Sequence, residues 1–322
     1  MKEPFQVSRR QRTDLRLLIA GRTTSTLGDE MALIALLIAA YQTGSGAPAI
    51  AALLIAGALP AALLAGWAGA WVDRCDSHTL LIAVGVAQTT ACAALSLVHW
   101  FVAQLALVAI LSALQVVSGP AWQALVPHIV GEGQVGRVVG ILQSAALIAG
   151  LAGAAIGGLI VSAFGVQIAL VVDAATFGLL TVAAAAIQTR RRMATSLESP
   201  TRIGDGWRAL RGDELLAPLM GGLLAFIVVG EAINVVAVLL VTDVLGGGAF
   251  ALGMLGAVFG LCAAIGAWVA SRIQTERSRV NATVASAALL ASMTIVAGLS
   301  ISLGMLSAAW AIAGVSLGIL QV

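Results

Sequence analysis

Apolar residues along this chain neither alternate nor form a stripe; they come in long runs. Ten such runs lie near 15–41, 48–71, 79–98, 101–124, 137–162, 165–188, 215–242, 249–270, 281–301 and 303–322, separated by polar or Gly/Pro punctuation. A hydrocarbon core about 30 Å thick is crossed by about 20 helical residues, so each run has the length of a transmembrane helix. Several connections are very short, which implies tightly packed antiparallel neighbours. The exception is 189–214, a polar stretch with six arginines that divides six runs from four. The pattern predicts an all-α polytopic membrane protein. A six-helix bundle is expected over 1–188, a cytoplasmic linker over 189–214 and a four-helix bundle over 215–322. Within the linker, 202–214 carries Trp207 and Leu210 on one side of a basic segment, which fits an interfacial helix.

The first run is interrupted by polar residues between Arg22 and Glu30. The apolar part that follows, 31–41, is only about 16 Å long at 1.5 Å per residue, too short to cross. The span therefore has to take Arg22, Asp29 and Glu30 into the membrane with it. Composition agrees with this solvent: 60% of residues are hydrophobic, 10% are charged and the mean hydropathy is +1.02. Soluble domains are about 25% charged, so a water-soluble enzyme and a nucleic-acid-binding domain are both excluded.

The positions of the charges set the topology. Of the 17 Lys and Arg residues, all but Arg22 fall on one side of a ten-span layout. They flank the first span (Lys2, Arg9, Arg10, Arg12, Arg16), lie in two short loops (Arg74, Arg137), and fill the linker and the loop after the eighth span (Arg272, Arg277, Arg279). Lys and Arg concentrate on cytoplasmic loops, so the N-terminus is expected in the cytoplasm and the protein in the inner (plasma) membrane. No apolar run near the N-terminus leads to a small-residue cleavage site, so no cleavable leader is expected.

Ionisable groups inside a span cost at least about 2.5–3.5 kcal/mol each on insertion, which makes them functional candidates. Arg22 and Asp29 are seven residues apart and share a helix face. They form either a static ion pair or part of a transport site. The seventh span carries Glu231 with Asn234 one turn on, and the sixth carries Asp173 followed by Thr176. Buried carboxylates favour their neutral form, which suits a group that loads and releases a proton. Asp29 and Glu231 are therefore the candidate proton-coupling residues. His78, His99 and His128 are scattered without metal spacing, so no metal and no cofactor is expected. Cys75, Cys92 and Cys262 are too few for a disulfide framework. No phosphate-binding Gly-rich loop occurs and the only lysine is Lys2, so a built-in ATPase is excluded.

The segment between the second and third spans reads Gly69-Ala-Trp-Val-Asp73-Arg74-Cys75-Asp76-Ser77-His78. It resembles the Gly-x-x-x-Asp-Arg-x-Gly-Arg-Arg motif of the major facilitator superfamily, with Asp76, Ser77 and His78 where that motif has Gly-Arg-Arg. The run Ser118-Gly-Pro-Ala-Trp122-Gln-Ala-Leu-Val-Pro127, then Arg137, then Asp173-Ala-Ala-Thr-Phe177, is similar to the branch that holds the enterobactin exporter and the macrolide efflux proteins. Thr-Leu-Gly-Asp-Glu at 26–30 and Pro60 fit the same branch. Gly153, Gly157 and Gly158 resemble the antiporter motif Gly-x-x-x-Gly-Pro-x-x-Gly-Gly, with Ala149 and Ala154 at two of its positions. Glycines at this spacing also serve close helix packing alone.

The resemblance implies two pseudo-symmetric bundles that rock about a midplane site. It places spans 1, 4, 7 and 10 around a cavity, with Arg22, Asp29, Gln115, Ser118, Trp122, Glu231 and Asn234 near substrate and Asp173 away from it. It gives Gly69, Asp73 and Arg74 a conformational gating role. The implied function is a proton-coupled secondary transporter that exports small organic molecules, drug-like compounds or a siderophore. Its partners would be a small-molecule substrate, protons and the bilayer, without nucleic acid, and it would act as a monomer. An importer or facilitator on the same fold, and a transport-inactive binding partner, are the alternatives.

The superfamily has twelve helices, so a ten-span chain is expected to be the front part of a longer protein. The mass of the protein from its native membrane is then expected to exceed 32.5 kDa by about 8–10 kDa, at about 20 residues per span plus loops. A native mass of 32.5 kDa would instead establish a ten-helix protein.

Overall fold

Inside a bilayer the backbone has to satisfy its own hydrogen bonds, and the helix does so within one segment. The computed structural model describes residues 9–189, 222, 230–270, 272 and 276–320, the side chains of 65–71, 73, 74, 132 and 276 aside. Every regular element among them is helical. The helices are α1 (Arg9–Gln42), α2 (Ala47–Arg74), α3 (Ser77–Leu97), α4 (Phe101–Val130), α5 (Val135–Phe164) and α6 (Val166–Ala186). Then come α7 (230–239, running into a π turn at Leu240–Val244), α8 (Ala249–Ala270), α9 (Glu276–Gly298) and α10 (Leu303–Leu320). Among the described residues nine helices are long and apolar enough to cross a membrane. Half of the expected seventh span, and the whole of the expected interfacial helix at 202–214, lie outside the described residues.

Several helices extend past their hydrophobic runs, whereas α6 (Val166–Ala186) falls short of the expected 165–188. At 34 residues, α1 measures about 51 Å, well beyond the hydrocarbon, and its first two turns carry the N-terminal arginines. Helix α4 continues six residues past the expected 124, through Pro120 and Pro127. Helix α9 starts at Glu276 rather than 281, so Arg277 and Arg279 are wound into its first turns. Apolar runs measure the thickness of the oil, whereas a helix goes on into the polar interface as long as no breaker stops it.

The same correction applies to Asp73 and Arg74, which the hydrophobic pattern places in a loop. They form the last turn of α2, and only Cys75 and Asp76 connect it to α3. Asp76 is the N-cap of α3, and its carboxylate accepts hydrogen bonds from the backbone N–H (3.1 Å) and the hydroxyl (2.9 Å) of Thr79. The glycine of the family motif is thus replaced by a capping residue.

Backbone packing groups the chain into two compact units, each described here by itself. The first gathers the described residues of Met1–Ser25, Pro48–Leu142 and Ala174–Val235. Its core joins Leu18 of α1, Leu81 and Cys92 of α3, Trp122, Leu125 and Ile129 of α4, and Phe177 and Leu180 of α6. Gly85 lets α3 sit against α6 so closely that a Cβ there would fall 2.4 Å from the Thr181 hydroxyl. The buried Asp14 carboxylate accepts from the backbone N–H groups of Gln188 (3.2 Å) and Thr189 (2.9 Å) and from the Thr189 hydroxyl (2.6 Å). That ties the start of α1 to the chain leaving α6.

The second unit gathers the described residues of Thr26–Ala47, Gln143–Asp173 and Val236–Val322. Its helices touch through glycine. A Cβ at Gly266 would lie 2.0 Å from the Val315 carbonyl oxygen, and one at Gly314 would lie 2.2 Å from that of Phe259, so α8 and α10 meet backbone to backbone. Phe259 and Trp310 add an edge-to-face pair with centroids 5.6 Å apart. Large apolar side chains point outward in both units, among them Leu63, Leu97, Trp100 and Ile301, as a lipid solvent requires.

The Asp76 cap generates a pH prediction. Burial alone would raise its pKa, but the Thr79 hydroxyl, the Thr79 N–H and neighbouring His78 outweigh it, and the carboxyl sits below its ordinary 3.8. A carboxyl whose pKa is lowered by folding contributes stability above the ordinary value and loses it as pH falls through the lowered one. Asp76→Ala is expected to cost about 1 kcal/mol at neutral pH. Melting curves of both proteins should converge below pH 3.8, and an equal gap at every pH would refute the assignment.

Candidate transport pathway

Helix α1 carries three ionisable groups in nine residues because one face of it is not lipid-facing. Arg22 and Asp29 are both partly buried, and each engages a polar or electrostatic partner. Glu30, next along the helix, is turned by about 100° from Asp29. It lies over α5: a Cβ at Gly150 would be 3.6 Å from Glu30 Cγ, and one at Gly153 would be 3.0 Å from Glu30 Cβ. Two adjacent carboxylates therefore have different surroundings, and Glu30 is the one packed against the glycine face. The sequence shows an acidic residue inside the span, but only the helix phase against α5 separates it from Asp29.

On α7 the side chains of Glu231 and Asn234 are partly buried, and Asn234 Nδ2 donates to Glu231 Oε2 at 3.3 Å. Glu231 thus has a neutral partner one turn away, a role that spacing alone does not assign to Asn234. Asp173 on α6 is 2% exposed and has a polar partner, so a place away from the cavity does not make it lipid-facing.

Helix α4 carries three more of the candidate residues. Gln115 is exposed and has a polar partner. Ser118 is buried, and its hydroxyl donates to the Gln115 carbonyl of its own helix at 3.3 Å. Trp122 is 3% exposed and belongs to the apolar core of the first unit. Ser118 and Trp122 are thus both packed within the first unit. Trp122 shares that core with Leu18, Leu125 and Phe177. Gly69, Asp73 and Arg74 lie in the C-terminal part of α2, and their side chains are outside those described.

Gly153, Gly157 and Gly158 are contact points. A Cβ at Gly153 would fall 2.4 Å from the Leu27 carbonyl oxygen, and one at Gly157 would fall 2.7 Å from Met31 Cα, so α5 rests on α1. Gly158 faces another helix: its Cβ would be 2.6 Å from the Ala249 carbonyl oxygen and 3.0 Å from Gly253 Cα, on α8. The Gly-x-x-x-Gly-Gly pattern thus divides between two neighbours. Among the described residues no group of His, Cys, Asp and Glu is arranged to hold a metal ion. The described carboxylates inside the spans are Asp29 and Glu30 on α1, Asp173 on α6 and Glu231 on α7, and Glu231 has Asn234 as a hydrogen-bond partner.

The family model of the Major Facilitator Superfamily matches residues 18–322. None of the curated proteins matches the chain in sequence. Among solved structures, the fold is similar to a bacterial homologue of the human lysosomal transporter Spinster in an inward-facing state, with TM-score 0.68 and 15% identity over 99% of this chain and 74% of that one. It is also similar to the nucleoside transporter NupG (TM-score 0.75, 11% identity, 96% of this chain and 81% of that one). A third is a bacterial homologue of the iron transporter ferroportin, inward-facing (TM-score 0.69, 13% identity, 96% and 82%).

The α5 contacts separate two glycine roles. Gly158→Val has no room and is expected to cost about 1–3 kcal/mol through overpacking, whereas Gly150→Ala, with its nearest neighbour at 3.6 Å, is expected to be tolerated. Thermal melting of the purified variants reads the difference. Equal melting temperatures would mean that backbone approach is not what Gly158 serves.

Proposed function

The chain belongs to the major facilitator superfamily, and from that premise we propose that it is a proton-coupled secondary transporter exporting small organic molecules by alternating access. The fold is that of a family of membrane transporters rather than of enzymes. What supports the finer reading is the sequence: Asp29 and Glu231 fall at similar positions along the first and seventh expected spans, as a duplicated scaffold would place them. Each has a hydrogen-bonding or electrostatic partner. The bundles 1–188 and 215–322 rock about the site between them, with the linker 189–214 on the cytoplasmic side of the plasma membrane. The protein works as a monomer.

Charge in the pathway suits amphipathic or cationic organic compounds, and the sequence likeness to the branch holding the enterobactin exporter and macrolide efflux proteins points the same way. Two of the similar structures are a nucleoside transporter and a homologue of an iron transporter, so the shared fold leaves the choice of solute to the side chains. Export means substrate leaving as protons enter.

The test is substrate-dependent proton flux in proteoliposomes with an imposed pH gradient, screened with lipophilic cations and macrolides. Asp29→Asn and Glu231→Gln should each abolish coupled flux while leaving binding partly intact, since the Gln amide can keep the hydrogen bond to Asn234. Wild-type coupling in either variant would remove that residue from the mechanism, and substrate moving in the same direction as protons would replace export with import.

A further inference from the structure

We propose that the hydrogen bond between Tyr41 and Asp243 is the latch of the transporter's outer gate, holding that end of the molecule shut between cycles. Its role rests on the alternating-access reading above; the contact itself does not. Tyr41, the only tyrosine in the chain, lies in the last turn of α1, and its hydroxyl donates to the Asp243 carboxylate, 202 residues away. Asp243 lies in the π turn that ends α7.

The surroundings show what this bond joins. Helix α1 begins among the N-terminal arginines, so Tyr41 marks its opposite end. On that same side α7 finishes and α8 starts. There, α5 lies against α8 with no side chains between them: a Cβ at Gly158 would sit 2.6 Å from the Ala249 carbonyl oxygen, and one at Gly253 would sit 2.3 Å from that of Ala154. In the two-bundle reading α1 and α5 belong to one bundle, and α7 and α8 to the other. The Tyr41–Asp243 bond and the Gly158–Gly253 seam are then contacts between bundles, and both must part before a solute can leave on this side.

The two contacts are suited to parting in different ways. The glycine seam is van der Waals contact, short in range, and its separation leaves no polar group unsatisfied. The Tyr41–Asp243 bond is directional and holds the register, yet Tyr41 is only partly buried and Asp243 is exposed, so water can replace each partner when the bond breaks. The backbone at Asp243 is also specialised. Leu245 N–H reaches back to the Leu240 carbonyl (3.0 Å), Gly247 N–H reaches the Val241 carbonyl (2.7 Å), and Gly246 closes the turn at φ +62°. Such π turns are rare and concentrate at functional positions. A plain helix end would not need one.

The experiment uses the full chain in intact cells, with Cys75→Ala, Cys92→Ala and Cys262→Ala as background and Ala154→Cys as reporter. Ala154 is 6% exposed, on α5 at the seam with α8. The readout is its rate of alkylation by a membrane-impermeant maleimide added from outside. Tyr41→Phe, which removes a single oxygen atom, and Asp243→Ala should each raise the rate by about threefold to tenfold, as expected for the net loss of one hydrogen bond. The double variant should be no faster than either single one, because one interaction is lost once. Asp243→Asn, which keeps an acceptor, should stay near the parent rate.

Unchanged rates, or single effects that multiply in the double variant, would overturn the latch. Alkylation needs neither substrate nor proton gradient. A protein that shows this pattern but moves no protons therefore defeats the exporter reading alone, and coupled flux with latch-independent alkylation defeats the latch alone.

Discussion

Helices in oil gain nothing from hiding apolar side chains from one another, because lipid tails are as apolar as leucine; cohesion has to come from close approach. In this molecule that approach is supplied by glycine. At Gly85, Gly153, Gly157, Gly158, Gly253, Gly266, Gly314 and Gly318 an added Cβ would meet a neighbouring helix at less than 3.0 Å. The neighbour is often a carbonyl oxygen, as at Gly158, Gly253, Gly266 and Gly314. Backbone-to-backbone contact places many atoms at van der Waals distance without large side chains between them, and it immobilises few rotamers. The large side chains are thereby left for the lipid-facing surface, where Leu63, Leu97 and Ile301 are found. The contact is also of a kind that can slide or part, which a moving protein needs and an interlocked leucine core resists.

Polar groups follow the opposite logic, since in oil each one needs a partner. Ser112 donates to the Gly57 carbonyl across α2 and α4. The hydroxyls of Thr89, Thr181, Thr242 and Ser316 are satisfied by carbonyls of their own helix four residues back. Asp14 gathers three donors from the chain leaving α6, and Asp76 caps α3. These carboxylates stand at helix ends, where backbone donors are plentiful. Asp29, Glu30 and Glu231 stand inside helices, where backbone donors are already used. Only side chains from the same or another helix can serve them, so their surroundings change when helices move. That contrast, rather than the mere presence of acid in a span, makes the interior carboxylates suited to coupling.

The sequence carries the architecture well and the side-chain surroundings poorly, for a physical reason. Hydrophobic runs report solvent, and solvent fixes which segments cross; of the nine membrane-length helices among the described residues, six coincide with expected spans to within a few residues, and α1, α4 and α9 run on into the interface. Glycine spacing marked α5 as a packing helix, and the structure adds that Gly153 and Gly157 serve α1 while Gly158 serves α8. What a run of hydrophobicity cannot report is rotational phase. Trp122 has the same hydropathy whether it faces a cavity or Leu125, and Glu30 looks equivalent to Asp29 until α5 is set against α1. The bond between Tyr41 and Asp243 has no local signal at all, since its partners are separated by most of the chain.

Motif departures proved informative where they change local chemistry. Asp76 stands where the family motif has glycine, and a glycine at the start of α3 would leave its first N–H groups to water. The aspartate instead caps the helix with two bonds from Thr79. With Ser77 and His78 also in place of arginines, this turn has exchanged a basic cluster for a fixed helix start. The turn thus carries less positive charge than the family motif does. A polar contact at the other end, between Tyr41 and the π turn of α7, is of the right kind to control opening, because it joins elements of both expected bundles and breaks into water at little cost.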